Sequence, residues 1–484
     1  PETTPPDTTP TEPPPETTSG APAGPRPLDD NPACDWPVVP PDAVDVTQFG
    51  AVPDDGQPDT EAFTAAVDAA GVGGTITAPA GRFELETDYV PWSGAYAFAL
   101  LDGQTLSLDP GAVLAAVPND LEGSAMIYVD SVRDVTIAGG VLLGDRDAHL
   151  GQGGEWGMGI AAYGAEGLSI RRVRAEGFWG DGFYVGPSYY FGPSSDVSLC
   201  GVEAVRNRRQ GLSITSAVGV TVEDSEFSDT EGTAPEGGID LEPDPGDVVA
   251  DVVVRHSLFL RNRTGVYVTA LEGVEQGPVS CTIEHNVIED SVGDGISLSR
   301  GTADTVIGNE VRRSGGVGIL VKWRERFEVV DNRVEDSVGD GILIEAAEDW
   351  DAGEPSHHRV AGNVVDGAGG HGVQVLWTHE IDLLDNTVEG AADIGIRLHV
   401  ADRNLVDGNT VGSSGGRAQI ELEAASDCVV SSNTLGPSAA AYGVWLHGDP
   451  TQGNEVRDNV LTGGYTDEAI RDDGQGTAAS GNVP

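Results

Sequence analysis

Along most of the chain, hydrophobic and polar residues alternate over only four or five positions, break at a glycine or an asparagine, and begin again. The unit Gly, Ile or Val, any residue, Leu, Val or Ile recurs as GFYV at Gly182, GLSI at Gly211, GIDL at Gly238, GVYV at Gly265, GISL at Gly295, GILV at Gly318, GILI at Gly341, GVQV at Gly372, GIRL at Gly395 and GVWL at Gly443. A second element keeps step with it, at Asn286, Asn309, Asn332, Asn363, Asn386, Asn409 and Asn433. Alternation this short predicts strands with one buried face. The Gly and Asn are expected at turn positions that favour left-handed backbone angles. Successive glycines lie mostly about 23 to 31 residues apart, shorter than the roughly 40-residue period of a propeller blade, and leucine-rich-repeat spacing is absent. Coils of about 23 residues, each with two or three strands and stacked at about 4.8 Å with like residues in register, make an all-β parallel β-helix solenoid.

Two stretches depart from the repeat. PDTEAFTAAVDAA, 58–70, has apolar residues at helical spacing behind Asp59 as N-cap and Glu61 in the first turn, which predicts a short helix covering the open first coil. Residues 1 to about 30 are almost all Pro, Thr and Glu and cannot bury apolar surface. The expected division is therefore a disordered linker over 1–40 and a β-helix domain with an N-terminal cap over 41–484, and truncation at Pro40 is expected to leave stability unchanged.

VDVTQFGAVPDDGQPDTEAFTAAVDAAG, 44–71, together with the repeats, resembles the pectate-lyase-like superfamily, over residues 44 to about 475. The segment is similar to the usual lead-in of that superfamily's secreted, polysaccharide-acting members. The resemblance implies a right-handed parallel β-helix, but it leaves the chemistry open, since the superfamily includes hydrolases, lyases, epimerases and phage tailspikes.

Charge narrows the partners. With 79 acidic and 26 basic residues, a net charge of −53, the chain would repel nucleic acid and anionic membranes. The same field disfavours a polyuronate unless Ca²⁺ bridges it to the protein, and no other cofactor is expected. No apolar run reaches the roughly 18–20 residues of a membrane helix, and no signal peptide remains. With the Pro/Thr tether, this reads as the mature form of a secreted or cell-surface protein, expected to be a monomer. Cys281 and Cys428 each lie five residues before a turn Asn, six coils apart, and so are expected inward and unpaired. Cys200 cannot reach Cys281, which leaves Cys34 as the cysteine free to pair.

The candidate chemistry starts from GGIDLEPD, 237–244. Alternation turns Ile239 and Leu241 inward and puts Asp240 and Glu242 on the outer face, toward solvent, in a row otherwise made of Tyr184, Ser213, Tyr267 and Ser297. Two carboxylates can act on a glycosidic bond as acid and base or as acid and nucleophile. Like charges this close are expected to raise one pKa. Asp181 is the third candidate acid, two coils earlier. Enlarged loops at 186–196, 229–237 and 269–278 and the aromatics Trp179, Tyr184, Tyr189, Tyr190, Phe191 and Tyr267 suit a sugar-binding groove. Arg208, Arg209 and Gln210, one coil before the acids, could hold a carboxylate or sugar hydroxyl. Lys322 and Trp323 could grip an acidic sugar or supply a lyase base. The bland alternative is that outward acids are solvated face in an acidic chain.

A rival site lies further along. Asp340 in GDGI, His371 in GHG and Arg397 in GIRL resemble polygalacturonase motifs, although the paired aspartates shrink to one, the Asn-Thr-Asp motif is absent and RLH replaces Arg-Ile-Lys. The leading expectation is a secreted glycoside hydrolase acting on a polysaccharide, with catalysis by Asp240, Glu242 and Asp181. The alternatives are a polysaccharide lyase or epimerase, and a non-catalytic glycan-binding adhesin.

Overall fold

The computed structural model describes residues 31–90, 94–270, 277–346 and 358–484. The expected linker over 1–30 and the middle of the 269–278 loop lie outside them. The chain forms a right-handed parallel β-helix, with sheets of 17, 15 and 16 strands among the described residues. All three run parallel except for one antiparallel pair, Asp88–Val90 with Gly94–Ala99. No helix among the described residues is long and apolar enough to cross a membrane.

Register carries the core. Phe183, Leu212, Ile239, Val266, Ile296, Ile319 and Ile342 form one inward file through consecutive coils, each paired with the next and fully buried. The repeated glycines have a different cause from the one their spacing suggests. A Cβ on Gly238 would lie 2.6 Å from the carbonyl oxygen of Gly265 and 2.7 Å from the Phe259 ring, so the row is required by close approach between coils and not by a left-handed backbone. The turn asparagines are likewise not left-handed; the residue before each is, as at His285 and Asp331, with φ of 53° and 55°. The asparagines instead form a buried ladder. Asn286 donates its amide N–H and Nδ2 to Asn309 Oδ1 at 3.0 and 3.1 Å, and the pattern continues through Asn332, Asn363, Asn386, Asn409, Asn433 and Asn459 to Asn482.

The predicted helix spans Thr60–Ala70 and buries Ala62, Phe63, Ala66 and Val67, with the Phe63 ring 5.5 Å from Phe83 and 5.4 Å from Phe98. Asp59 stands at its N-cap position, but its carboxylate does not cap the helix. It accepts the N–H groups of Val52 and Glu84, tying the lead-in segment to the first coil.

The expected linker is corrected at its C-terminal end, because residues 31–36 dock on the solenoid. Cys34 is buried and disulfide-bonded to Cys200, Arg172 Nε donates to the Cys34 carbonyl at 2.7 Å, and Trp36 Nε1 donates to Ser107 Oγ at 3.2 Å. Composition hid this, since only three side chains of the segment, those of Asn31, Cys34 and Trp36, make the contact. Cys281 and Cys428 are buried and form no disulfide among the described residues, as their register requires.

Candidate active site

The strand Gly237–Leu241 places Asp240 between Ser213 and Tyr267 of the adjoining coils, with Ile239 and Leu241 in the core. The outward direction is as alternation predicts, but the expected solvent exposure is not found. Asp240 is 1% exposed. With coils stacked at about 4.8 Å, the longer Tyr267 on one side and Gln210, hydrogen-bonded to the carboxylate from the preceding coil, can enclose an outward aspartate. Gln210 is buried too, and it is a holding residue: Nε2 donates to Asp240 Oδ2 at 2.7 Å while Oε1 accepts the Gly237 N–H at 2.6 Å. Asp240 Oδ1 is buried with no hydrogen-bond partner.

Asp181, fully buried, accepts hydrogen bonds from Arg209 Nη1 at 3.0 Å and Ser213 Oγ at 2.8 Å. Arg209 Nη1 also reaches Ser213 Oγ, while its buried Nε is unpartnered. The Arg209 guanidinium is acted on by the charges of four carboxyl groups, Asp181, Asp240, Glu155 and Glu242. Glu242 is half-buried, and its carboxylate forms neither a hydrogen bond nor an ion pair among the described residues.

Burial dominates the titration of these acids. It pushes Asp181 up to about 6, against the pull of Arg209 and Ser213. It raises Asp240 well above the usual carboxylate range, with the Glu242 charge adding to the rise and Arg209 opposing it. Glu242 is also raised, by burial, with Arg209 opposing. The like-charge effect expected from sequence is therefore present at Asp240 but second to desolvation.

Aromatic walls flank the acids. Tyr184 donates to or accepts from Thr215 Oγ1 at 2.8 Å and ends a ladder of rings running from Tyr96 through Tyr128 and Tyr163, with centroids 4.7, 5.5 and 5.1 Å apart. Tyr189 and Tyr190, at the tip of the loop closed by Ser188 and Gly192, are 95% and 82% exposed. On the other side the loop 144–155 is pinned down. Trp179 Nε1 donates to the Gly153 carbonyl at 3.0 Å, Arg208 Nη1 donates to the Gly154 carbonyl at 2.9 Å, and the Trp179 ring packs against the Arg208 guanidinium and stacks on His149. Arg208 thus stands in the wall of the site, with Nη1 engaged by backbone carbonyls.

Sequence reasoning missed Glu155, the tyrosines N-terminal to Tyr184, and the Asp145–His149 pair. The available signal was the irregular insertion GDRDAHLGQGGE between the strands Val141–Leu143 and Trp156–Tyr163. Lys322 and Trp323 are not brought to the acids. They lie in the strand Ile319–Glu325, three coils away, or about 14 Å by stacking. Lys322 Nζ is ion-paired with Glu345 at 2.9 Å, so it is not a free base.

The rival residues do assemble, into a closed network. Asp340 accepts the His371 N–H at 2.7 Å and the Gln374 amide at 2.6 Å, and Gln374 in turn accepts from Arg397 Nη1 at 2.5 Å. Arg397 continues to Glu421 at 2.9 Å and to Glu423. His447 closes on Glu421 at 3.2 Å and His399 on Glu423 at 3.0 Å. His371 Nδ1 accepts the Ile394 N–H at 3.2 Å, and Asp393 is the acidic group facing its other nitrogen, at 4.0 Å. None of these side chains is left with a buried polar atom unpartnered, whereas the Asp240 cluster has two such atoms, on Asp240 and Arg209. Open valences are what a ligand fills.

The family described as right handed beta helix region matches residues 159–311, 253–388 and 318–482, together spanning 159–482. YclG, an uncharacterized protein of Bacillus subtilis (strain 168), is 31% identical over 227 residues, 43% of this chain and 37% of YclG. The SPbeta prophage-derived uncharacterized protein YorA of the same organism is 31% identical over 153 residues, 28% of this chain and 26% of YorA. The chain spans roughly a third or less of these relatives' length. Among solved structures, the A-module of the Azotobacter vinelandii mannuronan C-5 epimerase AlgE4 is 17% identical, with 90% of this chain and 100% of that one covered and a TM-score of 0.40. The Streptococcus pneumoniae surface adhesin PfbA is 14% identical over 87% and 92%, with a TM-score of 0.47. A Thermotoga maritima exopolygalacturonase is 14% identical over 87% and 94%, with a TM-score of 0.45. These likenesses assign no chemistry to the chain.

Proposed function

For a chain that belongs to the right handed beta helix region family, we propose the function of an extracellular glycoside hydrolase, cutting a polysaccharide laid along the outer face of the coils that carry Asp181, Asp240 and Glu242. One observation carries this reading. A buried aspartate with one oxygen unclaimed, whose burial raises its proton affinity, stands two residues from a glutamate that has no partner among the described residues. A carboxyl held neutral beside an ionised one is the pairing that glycosidic cleavage requires.

In the proposed reaction the Asp240–Glu242 pair shares a proton. Glu242, the half-buried member, meets the glycan first. Asp240, buried in the resting arrangement, is reached once the side chains around it move, and it gives its proton to the glycosidic oxygen. Ionised Glu242 then activates water or attacks the anomeric carbon. Asp181, kept in place by Arg209 and Ser213, fixes the Arg209 charge next to the pair. The reaction uses side chains alone.

The disulfide supports an oxidising, extracytoplasmic setting. The Lys322–Glu345 ion pair weakens Lys322 as a lyase base and leaves an arginine as that reading's candidate. The test is a digestion screen over a polysaccharide panel. New reducing ends without the ultraviolet absorbance of unsaturated sugars support hydrolysis, unsaturated ends indicate a lyase, and tight binding with no cleavage of any polymer leaves the epimerase and adhesin readings.

A further inference from the structure

A second set of donors lies on the same outer face, far from the acids. The strands Ile396–His399, Ala418–Glu423 and Tyr442–His447 stack in succession, so that His399, Glu423 and His447 form one outward row and Arg397, Glu421 and Trp445 the row beside it. In register, Glu421 is seven coils from Asp240, about 34 Å by stacking. One ligand atom from each of Glu421, Glu423 and His447 lies within 4.8 Å of the others. Arg397 takes Oε2 of both glutamates, and His399 Nδ1 also meets Glu423 Oε2, at 3.0 Å. Glu423 Oε1 is left without a partner among the described residues, and Glu421 Oε1 meets only His447 Nε2, at 3.2 Å. The imidazole is held in place. Its ring stacks on Trp445 with centroids 3.7 Å apart, and Trp445 Nε1 donates to Asp473 at 3.1 Å.

Donors bound to one tetrahedral zinc at about 2.0–2.2 Å stand about 3.3–3.6 Å from each other, so a ring nitrogen and a carboxylate oxygen 3.2 Å apart already sit close to the edge length of such a site. Arg397 and His399, bonded to Oε2, orient the carboxylates as the outer partners of a metal site do, and Oε1 of each glutamate stays available. An imidazole nitrogen in the set selects a transition metal over Ca²⁺, which takes oxygen ligands in larger number. We infer that Glu421, Glu423 and His447 bind Zn²⁺, with Arg397 and His399 as positioning residues and a fourth coordination position open to water or a ligand oxygen. The ion ties two adjacent coils together and, at its distance from Asp240, takes no part in the proposed cleavage.

An acidic chain attracts any divalent cation, so the test must separate the site from the field. The full chain, without an affinity tag and stripped with chelator, is titrated in a calorimeter with zinc chloride and with calcium chloride at physiological salt. Zn²⁺ is expected to fill one site at least about tenfold more tightly than Ca²⁺ and to raise the melting temperature, as a ligand of the folded state does. His447→Gln keeps a hydrogen-bond donor for Glu421 but loses the imidazole. It and Glu421→Gln are each expected to weaken zinc binding at least about tenfold and to remove the thermal shift, while Asp382→Asn, an exposed acid on another sheet, changes neither. Co²⁺ loaded into the wild type supplies a readout that needs no variant, and the intense visible absorption of a four-coordinate ion is expected. Zinc binding no tighter than calcium binding overturns the inference. So does zinc binding that both variants leave untouched, or a Co²⁺ spectrum of a six-coordinate ion.

Discussion

Gln210 and Asp240 are joined by one hydrogen bond of 2.7 Å, from Nε2 to Oδ2, and Gln210 is itself fixed by the Gly237 N–H at 2.6 Å. That pair settles which oxygen of Asp240 is engaged and which is left open, one coil away from the arginine that binds Asp181. An acid held this way has a defined orientation before any ligand arrives, as a catalytic group needs.

Asp240→Asn and Glu242→Gln should each lower turnover by at least about a hundredfold on the polymer found by the digestion screen, the scale of losing a general acid or base. His371→Ala and Arg397→Ala should retain most of the activity, because no buried polar atom of their network lacks a partner. Steady-state kinetics on the four variants decides between the sites. The opposite ranking would move the chemistry to the Asp340 coils.

Asp240 also makes a stability prediction with a definite sign. Its folded pKa is raised above the unfolded value near 3.8, so the fold favours the protonated form. That contribution is fully present below the unfolded pKa and is lost as pH rises through the folded one. The neutral isostere in Asp240→Asn escapes the loss. Its melting temperature should exceed that of the wild type at about pH 8, with the difference closing toward about pH 4. A variant that melts lower than the wild type at every pH would show that the carboxylate stabilises the fold.

The Cys34–Cys200 link closes a loop with a sequence separation of 166 residues. Chain entropy puts its contribution at about 5 kcal/mol for a loop of that size. Removing residues 1–40 should therefore lower the melting temperature by several degrees or more, and Cys34→Ser should do most of the same. Removing residues 1–30 alone should do neither. Thermal melts of the three proteins check this, and thiol labelling should find Cys281 and Cys428 silent until denaturant is added.

Asn309→Ala should break the ladder in its middle. The Asn286 N–H and Nδ2 lose their acceptor, and the Ile283 carbonyl loses its donor at 2.8 Å. Leaving buried polar groups unpaired costs at least about 2 kcal/mol, read out by urea unfolding. Asn309→Asp should be nearly as harmful, since it keeps the acceptor and removes the donor. A loss below experimental error in both would mean that the ladder is structurally redundant.

The sequence by itself determined the solenoid. A two-residue period broken every coil by Gly and Asn leaves the chain one way to bury its apolar face, and the same register put Ile239 inward, Asp240 outward, and Cys281 and Cys428 six coils apart. It even brought together Asp340, His371 and Arg397, because residues at equal places in successive coils must stack. It could not say how a row is used. The glycines read as turn residues, yet Gly238 is small because the next coil's carbonyl lies where a Cβ would be. Asp240 was expected to face water, yet its neighbours cover it, and burial more than the adjacent charge sets its proton affinity. Period fixes direction, but exposure and partner choice depend on the lengths and rotamers of side chains in other coils. The insertion that delivers Glu155, the docking of Cys34 onto Cys200, the ion pair that occupies Lys322 and the single unpaired oxygen of Asp240 all arise between residues far apart along the chain. Only the packed structure, where those distances become a few ångströms, decided them.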